Sequence, residues 1–488
     1  MTKSVIKNFR LSFYILIFCQ LLIFFLIFGP LELLNFDLNV YKDKGDGPSY
    51  LNFSFGSIQS ILSDHRTFGL PMFLKGYQFF DKDLLYWPQF NYLFYIFSIN
   101  FFLYSLLRAG FNSLFSFIGC FSLLISYNFY GYFSYWTEIL SIILCLLSLS
   151  FFFLIISDRK NNLFKYILFT FLIFFMYQVR PSFIIFIIFP ILYSIISNKF
   201  LYTKYSLTFF LSMCFIPLII FLILRLLLVG NFGLVSFNVG PASNAIILLE
   251  RTDIKNLTYE NQLFAKKIIE KRKKIPLPCN LEKESERLES ERYKHVGKLY
   301  GQKTCWNEYA MLAWMEAILD YKGLTPFPKD DPRNIDAWNH TSSMGFFWNQ
   351  AGSNVGPDKI LLNFAKDVYS ENKLYIFKRI LKSPYHFLRY YRDYYKNQFL
   401  LFYLVIFFLV IFYKNDPKIK VTKNIIDKES IMTFVAFIIW VFNMILLYGH
   451  QNGELRALTV QNFFLIPVFF SYFTYFLIVK RNYINTNK

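Results

Sequence analysis

The chain reads as an all-α polytopic membrane protein of about ten transmembrane helices, with juxtamembrane helices and one large, mainly helical loop outside the bilayer. Three features lead there. Of 488 residues, 55% are hydrophobic and 22% aromatic while only 17% are charged, a balance outside that of ordinary soluble domains. The apolar residues gather in runs close to the roughly 20 helical residues that a hydrocarbon core of about 30 Å requires. The basic residues, finally, fall on alternate sides of successive runs.

Residues 11–35 form the first run, behind Lys3, Lys7 and Arg10. They resemble a signal peptide, but the run is long and has no small-residue cleavage site, so it reads as a retained first helix. Runs at 92–107, 111–127, 136–157, 162–178, 182–197 and 206–229 complete an N-terminal module, 1–229, whose first outer loop is 36–91. A large hydrophilic loop, 230–396, follows and is long enough for a subdomain of its own. Runs at 397–413, 431–449 and 461–479 make a C-terminal module, 397–488.

Orientation comes from the short flanks, because Lys and Arg are retained on the cytoplasmic side. One set of flanks holds 17 of them, whereas the opposite short connections hold only Arg180 and Arg456. Both termini are therefore expected in the cytoplasm and both long loops outside. The net charge of +19 lies beside apolar runs, which argues against a nucleic-acid partner.

Within the large loop, "NQLFAKKIIEKRKK", "KESERLESERYKHVGKLY", "WNEYAMLAWMEAILDYKG" and "DKILLNFAKDVY" have helical spacing, punctuated by Pro and Gly. "SPYHFLRYYRDYYK", just before the eighth run, interleaves Tyr with Arg and Lys as a helix in the headgroup layer does. Cys19, Cys120, Cys145 and Cys214 sit in apolar runs and read as small packing residues. Cys279 and Cys305 share the hydrophilic loop: in an oxidising compartment they form a disulfide, otherwise they stay two thiols.

Ionisable side chains beside the hydrocarbon are costly, so those retained at outer ends of spans call for a reason. They are Asp46 in the turn "GDGPSYL", Arg66, Glu138, Arg180, His450, Glu454 and Arg456. Arginine forks bind phosphate bidentately, a carboxylate takes a proton from an attacking hydroxyl, and a Phe-rich groove holds a lipid tail. Transfer of a sugar from a lipid phosphate needs these three elements. The plainer alternatives are a turn or helix-cap role for Asp46, a headgroup contact for Arg66 and a favourable acid at a helix N-terminus for Glu138. Asp37, Asp43, Asp64, Asp81 and Asp83 share the first loop and read as mostly solvated, though each is also a candidate base. There is no P-loop, no GxGxxG after a strand, no HExxH and no zinc-ligand spacing.

In their order along the chain these residues resemble the polytopic GT-C type glycosyltransferases of bacterial envelopes, similar to lipid A aminoarabinose transferases and protein mannosyltransferases. "GDGPSYL" matches the acidic turn of the first outer loop, and "HRTFGLPMFL" resembles the following Arg-Pro-Gly motif through Arg66, Gly69 and Pro71, with Phe68 and Leu70 departing from it. "WTEIL", "VRPSF" and "GELRALTVQNFFLIP" resemble later span starts, the last without the usual Arg-Tyr pair.

The resemblance implies an enzyme of the bacterial inner membrane that takes a sugar from a polyprenyl-phosphate donor, such as undecaprenyl phosphate, on the periplasmic side. The acceptor is an envelope glycan or glycolipid such as O-antigen or lipopolysaccharide, and the transfer inverts. Asp46 is then the general base. Arg180, Arg456 and Arg66 bind the donor phosphate, and Tyr50, Glu138, His450 and Glu454 contact substrate. A divalent metal, Mg2+ or Mn2+, is compatible with this chemistry. Two rivals share the architecture. An O-antigen polymerase or ligase has a similar span count and large outer loop but no acidic turn after the first span. A transporter or flippase places charges at mid-membrane and repeats its halves.

Overall fold

The computed structural model describes residues 14–25, 50–64, 66–125, 137–157, 163–197, 207–230, 232–234, 245, 248–249, 252–274, 359–378, 381, 423–450, 468–475 and 477. Among these the regular structure is helical and no strand occurs. The helices are α1 (Tyr14–Phe25), α2 (Ile58–Ser63), α3 (Gly69–Tyr77), α4 (Trp87–Arg108), α5 (Ser113–Ile125), α6 (Thr137–Ser157) and α7 (Leu163–Val179). A 3-10 helix, Pro181–Ile187, leads into α8 (Ile188–Ser197), and α9 (Leu207–Val229), α10 (Tyr259–Lys274), α11 (Lys359–Glu371) and α12 (Lys423–His450) follow.

Two of these helices, α4 and α6, are long and apolar enough to cross a membrane, and five further apolar stretches are shorter. Five of the expected runs, 111–127, 136–157, 162–178, 182–197 and 206–229, begin and end within two residues of a helix, α12 starts eight residues before the run 431–449, and 397–413 lies outside the described residues. Three further local features differ from expectation. Helix α4 starts five residues before the apolar run, because Pro88 is tolerated in the first turn, where its missing N–H has no partner to lose, and Trp87 and Asn91 are buried. The run 182–197 opens as a 3-10 helix. The loop 36–91 contains two short helices, α2 and α3.

Helix α6 is buried almost all round, which its lack of a polar face requires. It packs against both α4 and α7. Small residues let it do so: Ser98 and Ser105 on α4, and Ser141 and Ser148 on α6, recur at seven-residue spacing and are essentially unexposed. Each hydroxyl donates to a carbonyl one turn earlier in its own helix, at 2.6–2.7 Å, so none of these four serines brings an unsatisfied group into the interior. Aromatic rings fill the rest, as in the edge-on pair Phe111–Phe153 and the tilted pair Phe152–Phe169.

At one end of this bundle α4 closes in a Schellman turn. The Phe111 amide donates to the Leu106 carbonyl at 3.1 Å and the Gly110 amide to Leu107 at 3.0 Å, with Gly110 at φ 82°. Helix α12 clamps this turn from outside. Lys428 Nζ donates to the Ala109 carbonyl at 2.8 Å, and the buried Glu429 carboxylate accepts from the Asn112 amide at 3.2 Å. A cation thus meets the C-terminal end of α4 and an anion the N-terminal end of α5, as the helix dipoles favour.

In the large loop α10 and α11 pack through Phe264 and Phe364, whose centroids are 5.1 Å apart. Asp367 of α11 accepts from the Thr258 amide at 3.1 Å, the Thr258 hydroxyl at 2.7 Å and Asn261 Nδ2 at 2.5 Å. These bonds satisfy donors at the start of α10.

Candidate functional site

The opposite end of the bundle gathers the start of α6, the end of α7, the end of α9 and the chain from α2 into α3. Proline sets the first feature. A residue before Pro is driven out of the helical region, so α7 stops at Val179 and Arg180 takes φ −144°, ψ 107° ahead of Pro181. That turn directs the guanidinium onto the start of α6. Arg180 Nη1 lies 2.8 Å from Glu138 Oε1 and donates to Thr137 Oγ1 at 3.0 Å, while Thr137 in turn donates to Glu138 Oε2 at 3.3 Å. Glu138 is 1% exposed and sits in the first turn of α6, where the helix dipole favours a carboxylate.

The second feature is a close approach of backbones. Gly69, first residue of α3, lies so near the end of α7 that a Cβ there would stand 2.5 Å from the Gln178 carbonyl carbon and the Val179 nitrogen. Thr67 reinforces the contact by donating to the Val179 carbonyl at 3.4 Å. The segment carrying Arg66 is thereby fixed one residue away from the segment carrying Arg180. Arg66 donates from Nη1 to the Tyr50 hydroxyl at 3.2 Å, and its guanidinium carbon is 4.9 Å from the centre of the Tyr50 ring. Its own amide donates to Asp64 Oδ1 at 2.8 Å.

A third arginine, Arg225 of α9, is buried at the same end and was not among the residues singled out from sequence. Its Nε donates to the Leu62 carbonyl at 3.0 Å, at the C-terminal end of α2, and its Nη1 donates to the Gly233 carbonyl. The signal was present, since Arg225 interrupts the apolar run 206–229. One turn before it, Phe221 meets Phe68 and Phe174, which ties α9 to the Arg66 segment and to α7.

Of the residues expected at the site, Arg66, Tyr50, Glu138 and Arg180 are brought to this end of the bundle. Two of them, Arg180 and Glu138, expected to meet the donor phosphate and the substrate, form an ion pair with each other at 2.8 Å. Asp46, Glu454 and Arg456 lie outside the described residues, as do Cys279 and Cys305. His450 closes α12, and its side chain also lies outside them. Among the loop aspartates, Asp64 closes a turn on Arg66 and Asp81 accepts from the Tyr86 amide at 2.7 Å, so both carboxylates are engaged locally. Among the described residues, no group of three or more His, Cys, Asp or Glu is placed to hold a metal ion.

Chemically, the arrangement supplies arginine donors, a buried carboxylate and tyrosine hydroxyls at one end of an aromatic bundle. No family model matches the chain, and no curated protein or solved structure matches it.

Proposed function

We propose that the chain is an integral-membrane glycosyltransferase of about ten spans, with both termini cytoplasmic and its site at the periplasmic face. It moves a sugar from a polyprenyl-phosphate donor to an envelope acceptor. The observation that supports this reading best is the close approach of the segments that carry Arg66 and Arg180, far apart in sequence, through Thr67, Gly69 and the end of α7.

The acceptor hydroxyl oxygen attacks the anomeric carbon, and the bond from that carbon to the phosphate oxygen breaks. The polyprenyl phosphate leaves with the bonding pair, and the acceptor's proton passes to a carboxylate, here assigned to Asp46. Charge grows on the departing phosphate, which is where arginine donors lower the barrier. Glu138 neutralises and orients the Arg180 fork rather than serving as the base. Arg66, held over Tyr50, and Arg456 complete the phosphate contacts.

The test is transfer of a labelled sugar in membranes. Asp46→Asn, inserted at wild-type level, abolishes transfer, and Arg180→Ala raises the donor KM by tenfold or more. Full activity in Asp46→Asn removes the assigned base, and an unchanged donor KM in Arg180→Ala removes the phosphate role. An introduced Gly45→Cys labelled by an impermeant thiol reagent in intact cells checks the sidedness, and labelling only after the cells are opened contradicts it.

A further inference from the structure

Among the described residues, five buried polar atoms without a hydrogen-bond partner fall within six consecutive residues, from the end of α7 into the 3-10 helix that follows. They are the Tyr177 hydroxyl, both amide atoms of Gln178, Arg180 Nε and the Ser182 hydroxyl. Tyr177 and Gln178 are 0% exposed, while the side chain of Arg180, which pairs with Glu138, is 12% exposed. An unsatisfied buried donor or acceptor destabilises the fold, and buried groups in folded proteins nearly always find partners. Five such atoms within six residues, next to the Arg180–Glu138 pair, leave bonds open that a ligand seated there would supply.

The chemistry of the array selects the ligand class. Arg180 Nε is a donor only, whereas the Gln178 amide offers donors and an acceptor, and the Tyr177 and Ser182 hydroxyls each do both. A phosphate, which only accepts when fully ionised, would leave Gln178 Oε1 unsatisfied. Hydroxyl groups match the array, because each one donates and accepts. We propose that Tyr177, Gln178 and Ser182 form a subsite for a neutral polyhydroxylated group, the ring hydroxyls of a glycosyl unit, directly beside the arginine that faces the phosphate. This rests on the transferase reading for the identity of the phosphate neighbour, and on the unpartnered atoms for the subsite itself.

The full-length chain in detergent is tested by ligand-dependent thermal unfolding. The probes are farnesyl phosphate, its esters with glucose, galactose, mannose and N-acetylglucosamine, and octyl glycosides of the same four sugars. In the wild type at least one sugar ester binds tenfold or more tighter than farnesyl phosphate. In Gln178→Leu that ratio falls to about one, and Tyr177→Phe, which removes one hydroxyl, reduces it severalfold.

Without ligand, Gln178→Leu unfolds at the wild-type temperature or above, because it removes two unsatisfied groups and keeps their volume. A lower unfolding temperature shows that the amide is used within the protein and overturns the proposal. So does a sugar preference that survives in both variants, or the absence of any preference in the wild type. If the wild type ignores farnesyl phosphate but discriminates among octyl glycosides through Gln178, the transferase reading fails and the subsite stands. If farnesyl phosphate binds and no sugar adds to it, the subsite fails and the phosphate site stands.

Discussion

Replacing Gly69 by alanine tests the contact that brings the two arginine-bearing segments together. A Cβ at this position would lie 2.5 Å from the Gln178 carbonyl carbon and the Val179 nitrogen and 2.6 Å from the Gln178 oxygen. Ordinary contact begins near 3.4 Å, so α3 and the end of α7 would have to separate by about 0.9 Å. All three obstructing atoms are backbone, and no side chain can rotate away. Overpacking of this kind costs about 1–3 kcal/mol, and the upper half of that range fits a clash with rigid backbone.

Gly76, in the same helix, is the internal control. Nothing lies within 4 Å of its Cβ position, so Gly76→Ala gains about 0.5–1 kcal/mol from reduced chain entropy. The two alanine variants should therefore differ by about 3 kcal/mol with opposite signs relative to wild type. Unfolding of purified protein by increasing sodium dodecyl sulfate, followed by tryptophan fluorescence, reads the difference. A second readout follows from geometry. The Thr67 bond to Val179 is already 3.4 Å long and does not survive the separation, and a misplacement near 1 Å is enough to slow an oriented reaction about 100-fold. Equal unfolding midpoints for the two variants, or a stabilised Gly69→Ala, would refute the close approach.

Three further outcomes are expected. Glu138→Ala leaves a buried guanidinium without its anion and costs about 3 kcal/mol, part of which the double variant with Arg180→Ala restores; additive losses would mean that the 2.8 Å pair is not coupled. Glu429→Ala removes the acceptor of the Asn112 amide and lowers stability by about 1–3 kcal/mol, whereas Glu429→Gln, which keeps an acceptor oxygen, loses less; equal losses would show that the bond contributes nothing. At Asp367 burial pushes the carboxyl pKa up, but hydrogen bonds from Thr258 and Asn261, helped by Lys366, outweigh it and the net shift is downward. A depressed folded pKa gives stability that is present above the ordinary carboxylate range near 4 and is lost as pH falls through the lower folded value. Amide exchange in α10 and α11 should therefore quicken below about pH 4 in the wild type, and Asp367→Asn should abolish that step; an unchanged profile in the variant would assign the acid sensitivity elsewhere.

Much of the architecture was legible from residue pattern alone. Apolar runs ending at 157 and 229 coincide with helices ending at Ser157 and Val229, because the same loss of apolar character that ends a run ends the packing surface. The Arg-Pro pair at 180–181 marked the stop of α7 for a backbone reason that needs no tertiary information. What pattern could not supply was partnership. Glu138 and Arg180 were both visible as costly charges at an outer end, yet nothing in their neighbourhoods says that each is the other's counterion. Gly69 could be seen as small, but the peptide it makes room for is more than a hundred residues later. Helices α2 and α3, of 6 and 9 residues, are too short for periodicity to stand out, and Gln178 is simply the last residue of the run 162–178.

The clamp that α12 places on the α4–α5 turn also bears on how the chain is made. Glu429 is synthesised 317 residues after the Asn112 amide it satisfies, which at translation speeds of about 5–20 residues per second is a delay of roughly 15–60 s. Throughout that interval the hairpin emerging from the ribosome has one helix end without its cation and the next without its anion. The first half of the protein must therefore wait, incompletely capped, for its last segments to arrive, and a nascent chain truncated before residue 428 is the form that quality-control proteases should recognise.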